Sequence, residues 1–251
     1  MMSVFIIVIY MLFSYIVFGM LLYSFIKEII KTFEKVNTIK KVYNESSYCR
    51  VTNKTFKEVF RNKGSFGEFL TYYELMSYEE NGNKFLFNLY IPLKNENTTE
   101  IDLIMITKKG LLVFESKNYS GWIFGSDKSK YWMQTLPSRK GKCYKTQFYS
   151  PILQNKGHIN NLRRILQSYI PCFSIIVFSD RCTFKKIPES TNETKVIHRN
   201  NISNVVRTIC NTNKDVINEE KIEVIYNKLY GYTQVSDDVK REHIYNIRNN
   251  R

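Results

Sequence analysis

Ile101-Asp102-Leu103-Ile104-Met105-Ile106-Thr107-Lys108-Lys109-Gly110-Leu111-Leu112-Val113-Phe114-Glu115-Ser116-Lys117 holds two apolar runs separated by a short polar break. Aliphatic runs of this length, ended by a Gly-containing turn, predict an antiparallel strand pair. If Thr107 faces Gly110, partner indices sum to 217 and Asp102 stands directly across from Glu115. Directly opposed residues have Cβ atoms roughly 4.5–5.5 Å apart. A three-residue loop with a bulge would shift that register. Strand alternation puts Glu115 and Lys117 on one face. Asp102, Glu115 and Lys117 are therefore expected to gather at one end of two greasy strands.

Two carboxylates so placed repel each other unless a cation or a shared proton neutralises them. Mg2+, or Mn2+ in its place, suits such a pair because hard cations take oxygen ligands and keep several waters. An ammonium group beside the ion could stabilise charge developing on a phosphorane or orient the attacking water. The competing interpretation is a solvated ion-pair patch at a strand end. Against it, both acids interrupt strands with apolar neighbours, where an uncompensated charge is costly.

Around this pair, a helix is expected from Ser65 to about Tyr78, with Phe66, Leu70, Tyr73 and Ser77 on one stripe. Further strands are expected at Phe85–Pro92, Trp122–Phe124, Tyr131–Leu136 and Lys195–His198, the last at an edge. Phe173–Phe178 should be a fully buried central strand. Ser150-Pro151 opens a helix, Ser as N-cap and Pro in the first turn, with Ile152, Ile159, Leu162 and Leu166 inward. Helices over Ile202–Cys210 and Glu219–Leu229 and a polar, frayed tail after Val235 complete an α/β domain with a mixed sheet flanked by helices.

The first 26 residues carry no charge, and Val4–Ile26 would span about 34 Å as a helix, enough to cross a hydrocarbon core. The run is too long, and its basic n-region too absent, for a cleaved signal peptide. One transmembrane anchor is expected. Lys27, Lys31, Lys35, Lys40 and Lys41 follow it and no basic residue precedes it, which places the C-terminal domain in the cytoplasm. Five scattered cysteines (Cys49, Cys143, Cys172, Cys182 and Cys210) fit a reducing compartment and offer no zinc spacing. The expected organisation is an anchor over 1–26, a basic juxtamembrane helix or linker over 27–60, an α/β domain over 61–234 and a tail over 235–251. About 38% of the chain beyond the anchor is hydrophobic, and all of the +14 net charge lies there. This excludes a polytopic transporter, a disordered chain and a disulfide-stapled miniprotein.

Gly67-Glu68, Ile101-Asp102, Gly110-Leu-Leu-Val-Phe-Glu115-Ser-Lys117-Asn118-Tyr119-Ser-Gly121, Trp132 and Ser150-Pro151-Ile-Leu-Gln154-Asn155-Lys-Gly-His158 occur in that order. Over residues 64–170 this combination resembles the nuclease-related domain, NERD, a family similar to the PD-(D/E)xK nucleases. The resemblance implies a restriction-endonuclease-like core and Mg2+-dependent phosphodiester hydrolysis. It implies catalytic positions at Glu68, Asp102, Glu115, Lys117 and Gln154. Asp102 and Glu115 would be the metal ligands, helped by the Ser116 carbonyl. Ser116 departs from the family, which more often has an apolar residue there. The anchor lies outside the shared domain, although membrane-attached members occur. His158, at i+4 from Gln154, is read as structural, and Trp122 and Trp132 as core packing.

Arg139, Lys140, Lys142 and Lys145 form a basic cluster expected in a loop, and Arg163, Arg164, Arg181, Lys185 and Lys186 add to it. Such charge attracts a phosphate backbone. No motif separates DNA from RNA; DNA is the first expectation. The expected function is a membrane-anchored, metal-dependent nuclease. Two rivals stay open: a non-catalytic nucleic-acid-binding or sensing module of the same fold, and a membrane-associated interaction scaffold. Oligomeric state is not legible.

Overall fold

The computed structural model describes residues 2–93, 97–137 and 141–249. The chain divides after Glu45 into two units. The first is one helix, α1 (Met2–Glu45), which runs without a break through the apolar segment and the lysine-rich stretch expected to follow it as a separate element. Its side chains from Phe13 to Phe33, including Phe18, Leu21, Phe25 and Ile29, are exposed. It is long and apolar enough to cross a membrane.

The second unit begins with two short helices, α2 (Ser47–Thr52) and α3 (Phe56–Arg61), where a linker was expected. Thr55 and Glu58 close a reciprocal capping box on α3, a local signal that the surrounding Lys and Asn residues obscure. Helix α4 (Lys63–Tyr73) follows, then a 3-10 turn over Met76–Asn81. The first sheet holds β1 (Lys84–Pro92), β2 (Thr98–Thr107), β3 (Gly110–Lys117), β7 (Cys172–Phe178) and β9 (Thr194–His198), in that spatial order. β3 pairs β7 in parallel and β2 antiparallel, so the sheet is mixed, with β7 in its interior and β9 at its edge.

Thr107 faces Gly110 as the sequence predicts. Gly110 has φ +126°, and a Cβ there would meet the Pro171 carbonyl oxygen at 2.3 Å, so only glycine fits this turn. The β2–β3 ladder then runs to Leu103 and Phe114 and stops one pair short of Asp102 and Glu115.

Helices α5 (Pro151–Leu166) and α7 (Glu219–Tyr230) cover one face of this sheet. Their Ile159, Leu162, Ile222 and Leu229 pack on Leu86, Leu89, Ile104, Ile106 and Val113. Each such buried side chain contributes about 1.5–3 kcal/mol. α2 and α4 cover the other face, where Tyr48, Phe69, Tyr72, Phe85 and Phe87 form an edge-to-face aromatic cluster.

A second sheet was not foreseen. It has the order β6 (Cys143–Tyr149), β5 (Tyr131–Pro137), β4 (Gly121–Phe124), β8 (Cys182–Lys186). Its inner face sets Ile123 and Trp132 against Ile176, Phe178 and Val196 of the first sheet, and the Trp132 ring lies parallel to Phe178 at 6.2 Å. α6 (Ile202–Thr212) and α8 (Asp237–Asn249) complete the unit. α8 forms where a frayed tail was expected, and its buried His243 bonds to Thr98 Oγ1 at 3.1 Å.

Candidate active site

In β1 the apolar positions that join the α5-side core are Leu86, Leu89 and Ile91; in β2 they are Ile101, Ile104 and Ile106. Strict pleating allows only even spacings on one face. Both strands therefore change phase once, and they do so at paired positions. The β1–β2 ladder is intact from Lys84/Ile106 to Pro92/Thr98 except at Asn88 and Asp102. Asn88 has φ +48°, a left-handed conformation inside a strand, and it is this residue that turns the alternation over. Asp102 thus sits where the two faces of the sheet exchange.

On the α5 side, Glu115 is almost wholly buried, with 1% of its surface exposed. Its Oε1 accepts from Lys117 Nζ at 2.6 Å, and its Oε2 lies 3.2 Å from His158 Nε2. Lys117 Nζ also donates to Gln154 Oε1 at 3.1 Å. The Ser150 cap and Pro151 start α5 so that Gln154 and His158, one turn apart, both reach this group. His158 Nδ1 is 3.1 Å from Thr99 Oγ1, which ties β2 to β3 through the ring. His158 is therefore part of the carboxylate's support, not simply a core residue. On the opposite side, Glu68 Oε2 accepts from Asn88 Nδ2 at 2.8 Å and from Tyr48 at 3.2 Å. Between them, Asp102 Oδ2 accepts the Ser116 N–H at 2.7 Å, where a backbone carbonyl would stand in a regular ladder. The Ser116 hydroxyl pairs with Thr71 Oγ1 of α4 at 3.1 Å, which gives the polar residue at this position a partner.

Burial is the largest single influence on each acid and pushes upward on every one, while the neighbouring charges decide the net direction. For Asp102, the nearby charges of Glu115 and Glu68 add to burial and hold its carboxyl well above the usual aspartate range. Glu68 is raised by burial and by Glu100, and Glu100 itself is raised by burial. Glu115 goes the other way: Lys117 and His158 together outweigh its burial and lower its pKa. Burial alone would lower the Lys117 pKa, but Glu115, Tyr119 and Asp102 raise it above that of an ordinary lysine, so the group is a fixed cation.

Glu68, Asp102, Glu115, Lys117 and Gln154 are thus linked by hydrogen bonds or by the fields they impose on one another. The basic cluster fares differently. Arg139 and Lys140 lie outside the described residues. Lys142 is exposed, and Lys145 is exposed on β6 and not in a loop. No hydrogen bond or ion pair among the described residues joins Lys142 or Lys145 to the carboxylates. Trp132 is core as expected, but Trp122 is 37% exposed. Reading the sequence also missed Glu100, whose Oε1 accepts from Tyr90 at 2.9 Å. Its signal was the i, i+2 spacing to Asp102. Asn88 had one too, the unequal spacing of Leu86, Leu89 and Ile91.

Asp102 and Glu115 offer hard oxygen donors, and Asp102 Oδ1 takes no hydrogen bond from the described residues. Lys117 offsets Glu115, and Lys54, whose Nζ donates to Asn88 Oδ1 at 3.4 Å, offsets Glu68 and Glu100 in part; the acids that stay raised by burial and by one another suit a divalent cation. Among the described residues no group of three or more His, Cys, Asp or Glu side chains is placed to hold a metal ion. Two carboxylates nonetheless suffice for Mg2+, which is commonly held by one or two carboxylates plus substrate oxygens and water. A cleft of about 780 Å³ lined by Ser47, Lys84, Glu223 and Tyr226 lies elsewhere and contains none of these groups.

Residues 63–179, which hold every member of this group except Tyr48, match the nuclease-related domain, NERD. That stretch is similar to nuclease-related domains. An uncharacterized protein of Bacillus anthracis is 28% identical over 193 residues, covering 77% of this chain and 87% of its own length. No solved structure matches the chain.

Proposed function

We propose that the NERD-like domain of this chain is a Mg2+-dependent nuclease that hydrolyses phosphodiester bonds in nucleic acid, DNA before RNA. The observation that carries the proposal is the Glu115–Lys117–Gln154 relay set beside a carboxylate, Asp102, whose charge is poorly compensated. Asp102 and Glu115 would hold the ion; when bound, it would neutralise the scissile phosphate and lower the pKa of a coordinated water. Lys117, fixed as a cation by Glu115, would face the negative charge that develops in the transition state. Gln154 would aim the ammonium, and His158 would hold Glu115 in place. Glu68, whose carboxyl retains a proton more readily than an exposed glutamate, would orient or exchange a proton with water on the α4 side.

The test is cleavage of plasmid DNA and of RNA by the full chain in mild detergent, with Mg2+ or EDTA, beside Asp102→Ala and Lys117→Ala. Metal-dependent cutting by the wild type alone is the expected result. Equal activity in all three proteins would refute the assignments. A second function, binding without turnover, draws support from the fact that both Glu115 oxygens already have protein partners. Affinity for nucleic acid with no cleavage in any divalent metal would favour it.

The exposed apolar α1 further supports a single-pass membrane protein, and Lys27–Lys41 support a cytoplasmic C-terminal domain. Protease protection in sealed inverted vesicles tests this: the C-terminal unit should be degraded from outside.

A further inference from the structure

Among the described residues the outer face of the second sheet carries exposed aromatic rings, with Thr135 buried between Trp122 and Lys145. Cross-strand partners share a face, so the pairs Trp122/Thr135, Thr135/Lys145 and Tyr131/Tyr149 put Trp122, Lys145, Tyr131 and Tyr149 on the side opposite buried Trp132 and Phe148. Trp122, Tyr131 and Tyr149 are 37%, 50% and 44% exposed, whereas Trp132 is 1% exposed. Lysines accompany the rings: Lys185 Nζ lies 5.2 Å from the Trp122 centroid and Lys130 Nζ 5.3 Å from that of Tyr131. None of the four strands contains an acidic residue.

We propose that this face is a platform for single-stranded nucleic acid, with bases stacked on Trp122, Tyr131 and Tyr149 and phosphates on Lys130, Lys145 and Lys185. It rests on the nuclease reading and supplies the substrate surface for it. A flat aromatic sheet face flanked by lysines matches the chemistry of a strand whose bases are unpaired: every base has a π-face, and every linkage a charge. Trp122 and Tyr131 lie four residues apart along paired strands, roughly 13 Å at the rise of a β-strand. That separation is suited to successive stacking sites on an extended chain. The platform also leads to the carboxylates. Ser150, the cap of α5, donates its N–H to the Lys130 carbonyl at 2.9 Å, so the tyrosine end of the face adjoins the first turn of the helix that carries Gln154.

Binding is measured in EDTA, where turnover cannot interfere. Full chain is placed in phosphatidylcholine nanodiscs and titrated with fluorescein-labelled oligothymidylate. Trp122→Ala should weaken binding roughly 5- to 150-fold, the range for loss of one stacked base. Trp122→Phe should retain most of it, and Lys145→Gln with Lys185→Gln should flatten the salt dependence. The chain has two tryptophans, so the fluorescence lost in Trp122→Phe isolates the exposed ring; oligothymidylate should quench that component. Wild type that cleaves nucleic acid while Trp122→Ala and Tyr131→Ala bind it unchanged would overturn the platform and leave the nuclease standing. A chain that neither binds nor cleaves would overturn both. Quenching of Trp122 by brominated phosphatidylserine in the disc, but not by the oligonucleotide, would also overturn it and assign the face to lipid.

Discussion

Replacing Glu115 by Gln keeps the side-chain shape and removes one charge from the most enclosed acid in the site. Lys117 Nζ would lose its anion 2.6 Å away while its side chain stays only 15% exposed. Breaking one partner of a buried pair costs about 3–5 kcal/mol, because the remaining charge is left out of water. Here the amide oxygen survives as a neutral acceptor and Gln154 Oε1 still bonds the ammonium at 3.1 Å. The cost should therefore fall near the lower end, about 3 kcal/mol. Removing both charges in Glu115→Gln/Lys117→Met should recover about 2 kcal/mol of the sum of the single losses, since a buried pair exchanged for neutral groups is often close to neutral. The assay is urea unfolding of the full chain in mild detergent, followed by the fluorescence of buried Trp132. Because the Glu115 pKa is lowered by folding, its stabilisation is present above the ordinary glutamate range and is lost as pH falls through the depressed value. The gap between wild type and Glu115→Gln should close on acidification. Strictly additive single and double losses, or a gap independent of pH, would show that Glu115 and Lys117 do not act as a buried pair.

Asp102 carries the opposite sign. Its folded pKa is raised, so the native state loses stability as pH climbs from the ordinary aspartate value to the raised one; Asp102→Asn should raise Tm, more at pH 8 than at pH 5, while abolishing cleavage. Mg2+ should raise the Tm of the wild type by relieving the same repulsion, a stabilisation of about 2.7 kcal/mol at a hundredfold excess over Kd, and should not shift Asp102→Asn. Asn88→Gly should cost about 1.5–3 kcal/mol, the loss of its bond to Glu68 and of the longer one from Lys54, and Asn88→Ala about 1–2 kcal/mol more, because alanine resists φ +48°; urea melts that rank alanine above glycine would contradict this. Gly125→Ala would place a Cβ 2.0 Å from the Trp132 ring, and should destabilise by about 1–3 kcal/mol with a red-shifted Trp132 emission.

The hairpin register, the Ser150–Pro151 helix start and the interior position of Phe173–Phe178 were legible because each depends on neighbours in sequence: a turn, a cap, an unbroken apolar run. The second sheet was not. β6 reads Cys-Tyr-Lys-Thr-Gln-Phe-Tyr and β8 Cys-Thr-Phe-Lys-Lys, and their polar outer positions hide the few residues that face inward. Basic residues there suggested a loop, although strands exposed on one face are polar for the same reason. Of the site, the β3 pair was within reach of local pattern, whereas Gln154 came into view only through the family resemblance. The contributions of His158, Asn88 and Glu100 depend on which helix meets which strand, and alternation taken as strict concealed the phase change at Asn88.

That phase change joins layers that a regular sheet would insulate. A pleated strand presents each side chain to one side only, so acids beneath α4 and acids beneath α5 would titrate in separate compartments. The left-handed residue opposite Asp102 leaves this carboxyl responsive to both Glu68 and Glu115. A substitution at Tyr48 on one side or His158 on the other should therefore be felt by the same proton, although the two residues lie against opposite surfaces of the sheet.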